Sequence, residues 1–551
     1  MKSRLTFTLI ARPAAAWRRR LARLAVILLG AALAAPAAVG AAAAPATPLP
    51  TLAWFDGDRP APIAQQAVAL LARAEDDGLD PADYDAAGLQ RALDAAAQGR
   101  LDAAGRAQLD ARLTAAIQRL LSDLNRGRVD PRTVHVKFDL PPRRFDATAA
   151  LREALAAGRL EQAVRAAAPP LKLYADLRRA LADYRALGAH PAWQQPLLGL
   201  PGGAHGKLAP GGTWDGLLPL AQRLQALGDL AADAPAYARY DGALVDAVRA
   251  FQRRHGLSDD GEVGRATRAA LEVKPAQRAQ QIALTMERLR WTPLARGPRM
   301  IVVNVPESVL RAYEVRGERF DVQLEMKVIV GRALDTRTPL ISEDLAFIEF
   351  SPYWNVPRSI ATEETVPRLQ RDPAYWTREG FEFVGRDGRM DTVLSEAQLQ
   401  AVLRGEARIR QRPGPANALG DIKFVFPNDD AIYLHHTPSV GLFARERRDF
   451  SHGCIRVEDP VALAKFVLRD QPEWTEARIR AAMAEGRSRT LRLAQPVPVL
   501  VAYGTALVIG GRPHFFADLY GHDRLLANAL RARTASRVIR APTTVPPAAA
   551  R

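Results

Sequence analysis

IYLHHTPSVGLFARERRDFSHGCIRVEDP, residues 432–460, is the stretch on which the reading of this chain turns. A short apolar strand, Ile432 to Leu434, ends in His435 and His436. Fifteen residues separate His435 from Ser451, and the chain then reads Ser451-His452-Gly453-Cys454-Ile455-Arg456. Cys454 is the one cysteine among 551 residues, and three of the nine histidines fall within the twenty residues before it. A free thiol is only a few per cent thiolate at neutral pH, so a nucleophilic cysteine needs help. A nearby imidazole can take its proton, and the N–H groups of a tight turn can steady a developing negative charge. Gly453 lets the backbone of such a turn come close to a substrate. A buried, inert cysteine would leave the three histidines unexplained. A zinc site from His435, His436, His452 and Cys454 has suitable ligand types. Its spacing is unusual for zinc, however, and no catalytic carboxylate accompanies it. The pattern favours a Cys–His acyl-transfer site.

Two histidines compete for the role of base. On a regular strand His452 and Cys454 would share a face, but neighbours on one strand point outward in parallel rather than at each other. His435, closing an adjacent strand, can approach the sulfur end-on. The sequence therefore predicts His435 as the general base.

Working outward, the chain carries a net charge of +16, which falls to +9 once the seven lysines and arginines of residues 1–44 are set aside. That mild excess is no nucleic-acid footprint. Apolar residues make up 48% and charged residues 25%, ordinary for a globular protein, and one cysteine excludes a disulfide scaffold. Residues 1–44 read as an export signal: basic Arg18-Arg19-Arg20, an apolar run from Leu24 to Ala35, then small residues offering A-x-A cleavage sites. The run is short for a membrane span.

The pattern from 45 to 212 is helical, with Leu109, Leu113, Ile117, Leu120, Leu121 and Leu124 at helical spacing and Gly127 as the stop. Nothing there gathers catalytic side chains, so it reads as scaffold. Residues 213–275 form a small helical unit with Leu217, Leu220, Leu224, Leu244, Val248 and Phe251 facing inward. From 299 the period becomes strand-like, interrupted by a polar, partly helical insert at 358–412 that contains Tyr375-Trp376. The catalytic region is expected to end at 470, with a C-terminal extension at 471–530 packing on the scaffold or catalytic domain and a disordered tail at 531–551. A linker helix at 276–298 joins the small unit to the strands.

The run YDGALVDAVRAFQRRHGLSDDGEVGRATRAAL resembles the peptidoglycan-binding domain, and residues 432–460 resemble the L,D-transpeptidase catalytic domain, whose signature is a His, a loop, then [S/T]-H-G-C. NVPESVLRAYE, SPYWNVPRSI and PGPANALGDIKFVFPN match further. The chain is similar throughout to the large periplasmic members of that family. The resemblance implies a multidomain α+β protein: a helical scaffold domain, a three-helix wall-binding module, and a mostly β catalytic domain with a capping insert. It implies Cys454 as nucleophile, His435 as base, and Gly453 and Cys454 as backbone oxyanion donors. Ser451, His452 and Arg456 would form the site shell, with His436 and Tyr433 at the substrate. Many relatives carry Asp where this chain has His436, which leaves the orienting of the base open.

The implied reaction joins peptidoglycan stems. Cys454 attacks the carbonyl between diaminopimelate and D-Ala of a tetrapeptide, D-Ala leaves, and the amine of a second stem's diaminopimelate resolves the thioester. No cofactor or metal is implied. The expected partners are donor and acceptor stems and other wall-synthesis enzymes, not nucleic acid. The expected place is the periplasm, with membrane contact only through the signal or an uncleaved anchor, and the enzyme would be a carbapenem target. An L,D-carboxypeptidase, a lipoprotein-anchoring variant and a non-catalytic wall-binding protein are the alternatives.

Overall fold

The computed structural model describes residues 52–135, 138, 144–203, 206–292 and 296–540. The export signal expected at 1–44 lies outside them, and among the described residues no helix is long and apolar enough to cross a membrane.

A two-stranded ribbon, β1 (Phe55–Asp56) and β2 (Arg59–Pro60), leads into five helices: α1 (Pro62–Ala72), α2 (Ala86–Ala97), α3 (Ala103–Arg126), α4 (Ala147–Ala156) and α5 (Leu160–Ala167). Asp102 caps α3 by accepting from the Gly105 N–H, and the apolar stripe from Leu109 to Leu124 is buried in the centre of this bundle. The next helix, α6 (Lys172–Ala186), leaves it. Tyr174, Leu177 and Leu181 instead share a core with Ile282 and Met286 of a long helix further on.

The small helical unit is α7 (Leu217–Ala226), α8 (Gly242–Arg254) and α9 (Arg265–Glu272), closed over Leu220, Leu224, Val248, Phe251 and Leu271. The long helix, α10 (Pro275–Trp291), then runs through the middle of the molecule. Its buried polar side chains reach in three directions. Glu287 accepts from the Val129 N–H at 3.2 Å, Arg290 donates to the Tyr174 hydroxyl at 2.8 Å, and Arg288 meets Asp523 at 2.6 Å. Buried charges of this kind persist only when paired, so they fix where the surrounding elements dock.

The strands that follow are β3 (Arg299–Asn304), β4 (Val309–Arg316), β5 (Arg319–Gly331) and β6 (Ile341–Phe350). Next comes the insert. Its four strands are β7 (Trp354–Asn355), β8 (Phe381–Gly385), β9 (Met390–Asp391) and β10 (Ala407–Gln411). Its helices are α11 (Arg358–Ile360), α12 (Val366–Arg371), α13 (Ala374–Glu379) and α14 (Glu396–Arg404), with a π-helical turn Ala361–Thr365 joining the first two. The insert has its own sheet, ordered β7-β10-β8-β9, and its own core. Trp376 belongs to that core, stacked 4.2 Å from Phe383 with its indole N–H on the Thr392 carbonyl.

The main sheet resumes with β11 (Ile422–Val425), β12 (Leu434–His435), β13 (Asp449–Ser451), β14 (Ile455–Val457) and β15 (Arg489–Ala502), the last two separated by α15 (Pro460–Val467) and α16 (Glu476–Ala484). The order is β13-β5-β14-β12-β11-β6-β15-β3-β4, and β4 also pairs with β5, so the sheet closes on itself. Val303, Leu310, Val328, Ile348, Phe424, Leu434, Ile455 and Val499 fill one continuous core.

Two boundaries differ from the sequence reading. The catalytic region does not end at 470, because β15 lies in the interior of the sheet between β6 and β3. Its partners are roughly 150 to 200 residues away in the chain, and local periodicity carries no record of them. The tail expected to be disordered from 531 begins inside a helix, α17 (His522–Arg540), whose Leu526 is fully buried; residues beyond 540 lie outside the described set. Between these, the hairpin β16 (Ala506–Ile509) and β17 (Arg512–Phe515) grips the small helical unit. Arg512 reaches Asp229 at 2.8 Å, and Arg254, itself paired with Asp229, donates to the Pro513 carbonyl at 2.7 Å.

Gly127, which ends α3, sits at φ +77° and ψ 170°, a region only glycine enters readily. A Cβ there would stand 2.3 Å from Trp291 Nε1 of α10. Gly127→Ala is therefore expected to cost about 2–4 kcal/mol, from backbone strain plus overpacking. Gly99→Ala, also at positive φ but facing open space, should cost only about 1 kcal/mol. Paired thermal melts compare the two, and equal shifts would mean that α3 does not dock through this contact.

Candidate active site

Strand alternation sets the site. Leu434 on β12 and Ile455 and Val457 on β14 are buried in the sheet's core. Their neighbours Tyr433, His435, Cys454 and Arg456 therefore lie toward the opposite face. β12 and β14 run parallel, with Leu434 opposite Ile455 and His435 opposite Arg456. That register brings Tyr433 level with Cys454 and makes His435 its diagonal neighbour. The row continues through Lys423 on β11, opposite His435, to Glu349 on β6, opposite Lys423. Lys423 binds Glu349 at 3.2 Å and lies over the Tyr433 ring, 4.3 Å from its centroid.

The turn before β14 is held from several sides. Gly453 adopts φ +115°, closed to most side chains. The Ser451 hydroxyl donates to the Cys454 carbonyl at 2.5 Å and accepts from the Gly453 N–H at 3.2 Å. The loop after β5 cradles the turn: Thr336 donates to the Ser451 carbonyl at 3.1 Å and Thr338 to the Gly453 carbonyl at 2.7 Å. Tyr520, just before α17, braces that loop by donating to the Gly331 carbonyl and accepting from the Thr338 N–H. The Gly453 N–H is thus engaged. Of the two turn N–H groups expected as oxyanion donors, that of Gly453 is the one held by the Ser451 hydroxyl.

His435 is buried, and its Nδ1 lies 2.5 Å from the backbone carbonyl of His436. A carbonyl only accepts, so Nδ1 carries the proton and Nε2 presents its lone pair. The orienting group is therefore main chain, and the side chain at 436 is free for other work. It binds Asp421 through Nδ1 at 2.7 Å, and Gly420 packs directly against its ring. His452 is also drawn away from the sulfur, its Nε2 lying 2.6 Å from Glu364 in the π-helical turn of the insert. The four candidate zinc ligands consequently do not converge. Among the described residues no group of three or more His, Cys, Asp or Glu side chains is placed to hold a metal ion.

Burial, reinforced by the charges of Arg456 and Lys423, pushes the His435 imidazole down to about 3. Burial pushes the Cys454 thiol up, opposed by the Tyr433 N–H and hydroxyl and then by Lys423 and Arg456. Near pH 7 both groups are neutral rather than a preformed ion pair, and the thiol donates to the Ala431 carbonyl at 3.7 Å. Sequence reasoning missed Arg332, Thr336, Thr338, Glu364, Asp421 and Tyr520. Only the hydroxyl-rich 332–338 loop left a trace, and nothing tied it to Cys454.

Residues 298–499 match the L,D-transpeptidase catalytic domain, residues 217–271 the "Putative peptidoglycan binding domain", and residues 49–181 the scaffold domain. The chain is thus similar to the L,D-transpeptidase family over its catalytic region. It is 34% identical over 251 residues to a Haemophilus influenzae protein named "Putative L,D-transpeptidase", a match covering 46% of this chain and 50% of that protein. It thus spans half the length of that relative. Solved L,D-transpeptidases from Stackebrandtia nassauensis (12% identity, TM-score 0.22, 55% of this chain and 97% of that one) and Xylanimonas cellulosilytica (residues 123–326; 17%, 0.17, 56% and 100%) are also similar.

The neutral pair is directly measurable. His435 has a depressed value, so its imidazole stays uncharged from pH 8 down to about pH 4 and gains its proton only below that. Its ring NMR shifts should be flat between pH 5 and 8, where a free histidine titrates. Iodoacetamide alkylation of Cys454, which needs thiolate, should be slower at pH 7 than for a free cysteine and still be rising at pH 9. An imidazole midpoint near 6.5, or fast alkylation at pH 6, would instead show a thiolate–imidazolium pair.

Proposed function

We propose that the protein is a cysteine-dependent L,D-transpeptidase that forms diaminopimelate–diaminopimelate cross-links in exported peptidoglycan. The parallel pairing of β12 with β14 supports this reading most directly. It sets a neutral His435, its Nε2 lone pair free, diagonal to the only thiol in the chain. As Cys454 Sγ attacks the carbonyl between diaminopimelate and D-Ala, His435 takes the thiol proton. The tetrahedral oxyanion gathers on the Cys454 N–H and on donors from Tyr433. His435 then returns the proton to the departing D-Ala amine, leaving a thioester. The acceptor amine attacks it, His435 again takes a proton, and the thiol is restored.

Burial serves this sequence. A neutral pair avoids the cost of two desolvated charges in the resting site, and charge appears only as the carbonyl is attacked. The insert, tied to the cysteine turn through Glu364 and His452, covers the cleft. The small helical unit holds polymer near the site and raises its local concentration. The place of action is the periplasm, where no ATP is available and exchange of one peptide bond for another needs none.

Mass spectrometry with a disaccharide-tetrapeptide tests the reading. The expected products are an acyl adduct on Cys454, free D-Ala and a cross-linked dimer. Cys454→Ala should give none of them while remaining folded. His435→Ala should lose roughly two or more orders of magnitude in acylation rate, the scale of general acid–base help. His452→Ala should lose less than about tenfold, because its side chain serves the insert contact. A released tripeptide with no dimer would make the enzyme a carboxypeptidase, and a greater loss for His452→Ala would reassign the base.

A further inference from the structure

Most arginines buried elsewhere in this fold meet a carboxylate, Arg254 with Asp229, Arg288 with Asp523, Arg290 with Glu287 and Arg311 with Glu307, while Arg223 is satisfied by the Ala192, Leu271 and Gln195 carbonyls. Arg456 is different. It sits two residues past Cys454 on β14, half-buried, with neutral His435 opposite it on one side and Ile329 on the other. Its Nε is fully buried with no hydrogen-bond partner, and no carboxylate pairs with it among the described residues. Arg332, whose backbone N–H holds the cysteine turn through the Ser451 carbonyl, stands near enough for the two guanidiniums to repel each other. The closest anion to Arg332 is Glu364 at 3.9 Å, and that same oxygen is already bound by His452. Lys423, the other cation of the row, is satisfied by Glu349. Two cations, one of them without a carboxylate partner, thus flank the cysteine turn, Arg456 two residues after Cys454 and Arg332 through its N–H on the Ser451 carbonyl. Such an arrangement is unfavourable until an anion enters, and a planar carboxylate is the anion that guanidinium forks bind best.

We propose that Arg456 and Arg332 form a clamp for the free α-carboxylate of the residue that leaves. The proposal rests on the transpeptidase reading of the Cys454 site and names what that site recognises. A reaction that releases a single terminal amino acid must tell its bond from every internal one. The feature that does so is the carboxylate one residue beyond the scissile carbonyl. Arg456 lies roughly 6.6 Å along the strand from Cys454, a span that an arginine side chain and one amino acid bridge together. The clamp is a specificity device: it holds the leaving residue and sets the carbonyl over the sulfur.

The experiment separates binding from turnover. Full-length Cys454→Ala protein is titrated calorimetrically with three tetrapeptide stems: one unmodified, one with a carboxamide on the terminal D-Ala, and one amidated at the diaminopimelate carboxylate. The terminal amide should bind at least tenfold more weakly, and the diaminopimelate amide within threefold of the unmodified stem. In Cys454→Ala/Arg456→Gln the unmodified stem and the terminal amide should bind alike. Arg332→Gln should reduce the discrimination, and Arg456→Lys should restore part of it, provided that thermal melts match the parent. Equal affinity for acid and amide in the parent, or discrimination that survives Arg456→Gln, overturns the clamp. So does discrimination carried by the diaminopimelate carboxylate instead. Turnover by the unaltered protein is scored separately. Absence of D-Ala release with binding discrimination intact overturns the transpeptidase reading and leaves the clamp. Release of alaninamide as readily as D-Ala overturns the clamp and leaves the transpeptidase reading.

Discussion

The parallel pairing of β12 on β14 is the constraint on which the rest of the site depends. Only two residue pairs carry it, Leu434 with Ile455 and His435 with Arg456. A slip of one residue would turn His435 into the core and away from the face that carries the thiol. What prevents the slip is the core itself. Leu434, Ile455 and Val457 are all fully buried in the closed sheet, and a one-residue slip would turn the slipped strand's share of them outward. The apolar side of these short strands thereby specifies the polar side.

The cysteine turn adds a second layer of restraint. Gly453 occupies a conformation that costs most residues energy, and its carbonyl, with that of Ser451, is held by threonine hydroxyls from the loop after β5. Tyr520 holds that loop from the far end of the chain. Catalytic geometry of this kind needs support from groups whose own positions are fixed. Here the support spans the catalytic sheet and the segment that packs back on α10. The helical parts of the protein are therefore linked to the site mechanically, through α10 and its buried Glu287, Arg288 and Arg290.

The histidines show how far environment divides residues of one type. His435 is buried, oriented by a main-chain carbonyl and held neutral. His436 turns to Asp421, and His452 to Glu364 of the insert. The departure from Asp at position 436 therefore leaves the orienting of the His435 ring intact, because a carbonyl is present whatever side chain stands at 436. The insert meets the cysteine turn through a charged side chain on a π-helical turn, a local irregularity often found where a helix presents a functional group.

Local chemistry made much of this legible from the residues alone. An isolated thiol after Ser-His-Gly, with a histidine closing an apolar strand, pointed to acyl transfer and to His435 because few other uses suit those residue types at that spacing. Helical periodicity likewise marked Leu109 to Leu124 and the small unit's inward faces. The tertiary structure alone decided the rest. It made β15 an interior strand, engaged the Gly453 N–H, and brought Arg332, Thr338, Glu364 and Tyr520 to residues as much as 189 positions distant. The physical reason is range. Periodicity and turn chemistry report which face of an element is apolar. Which elements meet is set by the closing of the sheet and by buried charges finding partners, and neither leaves a local trace in the sequence.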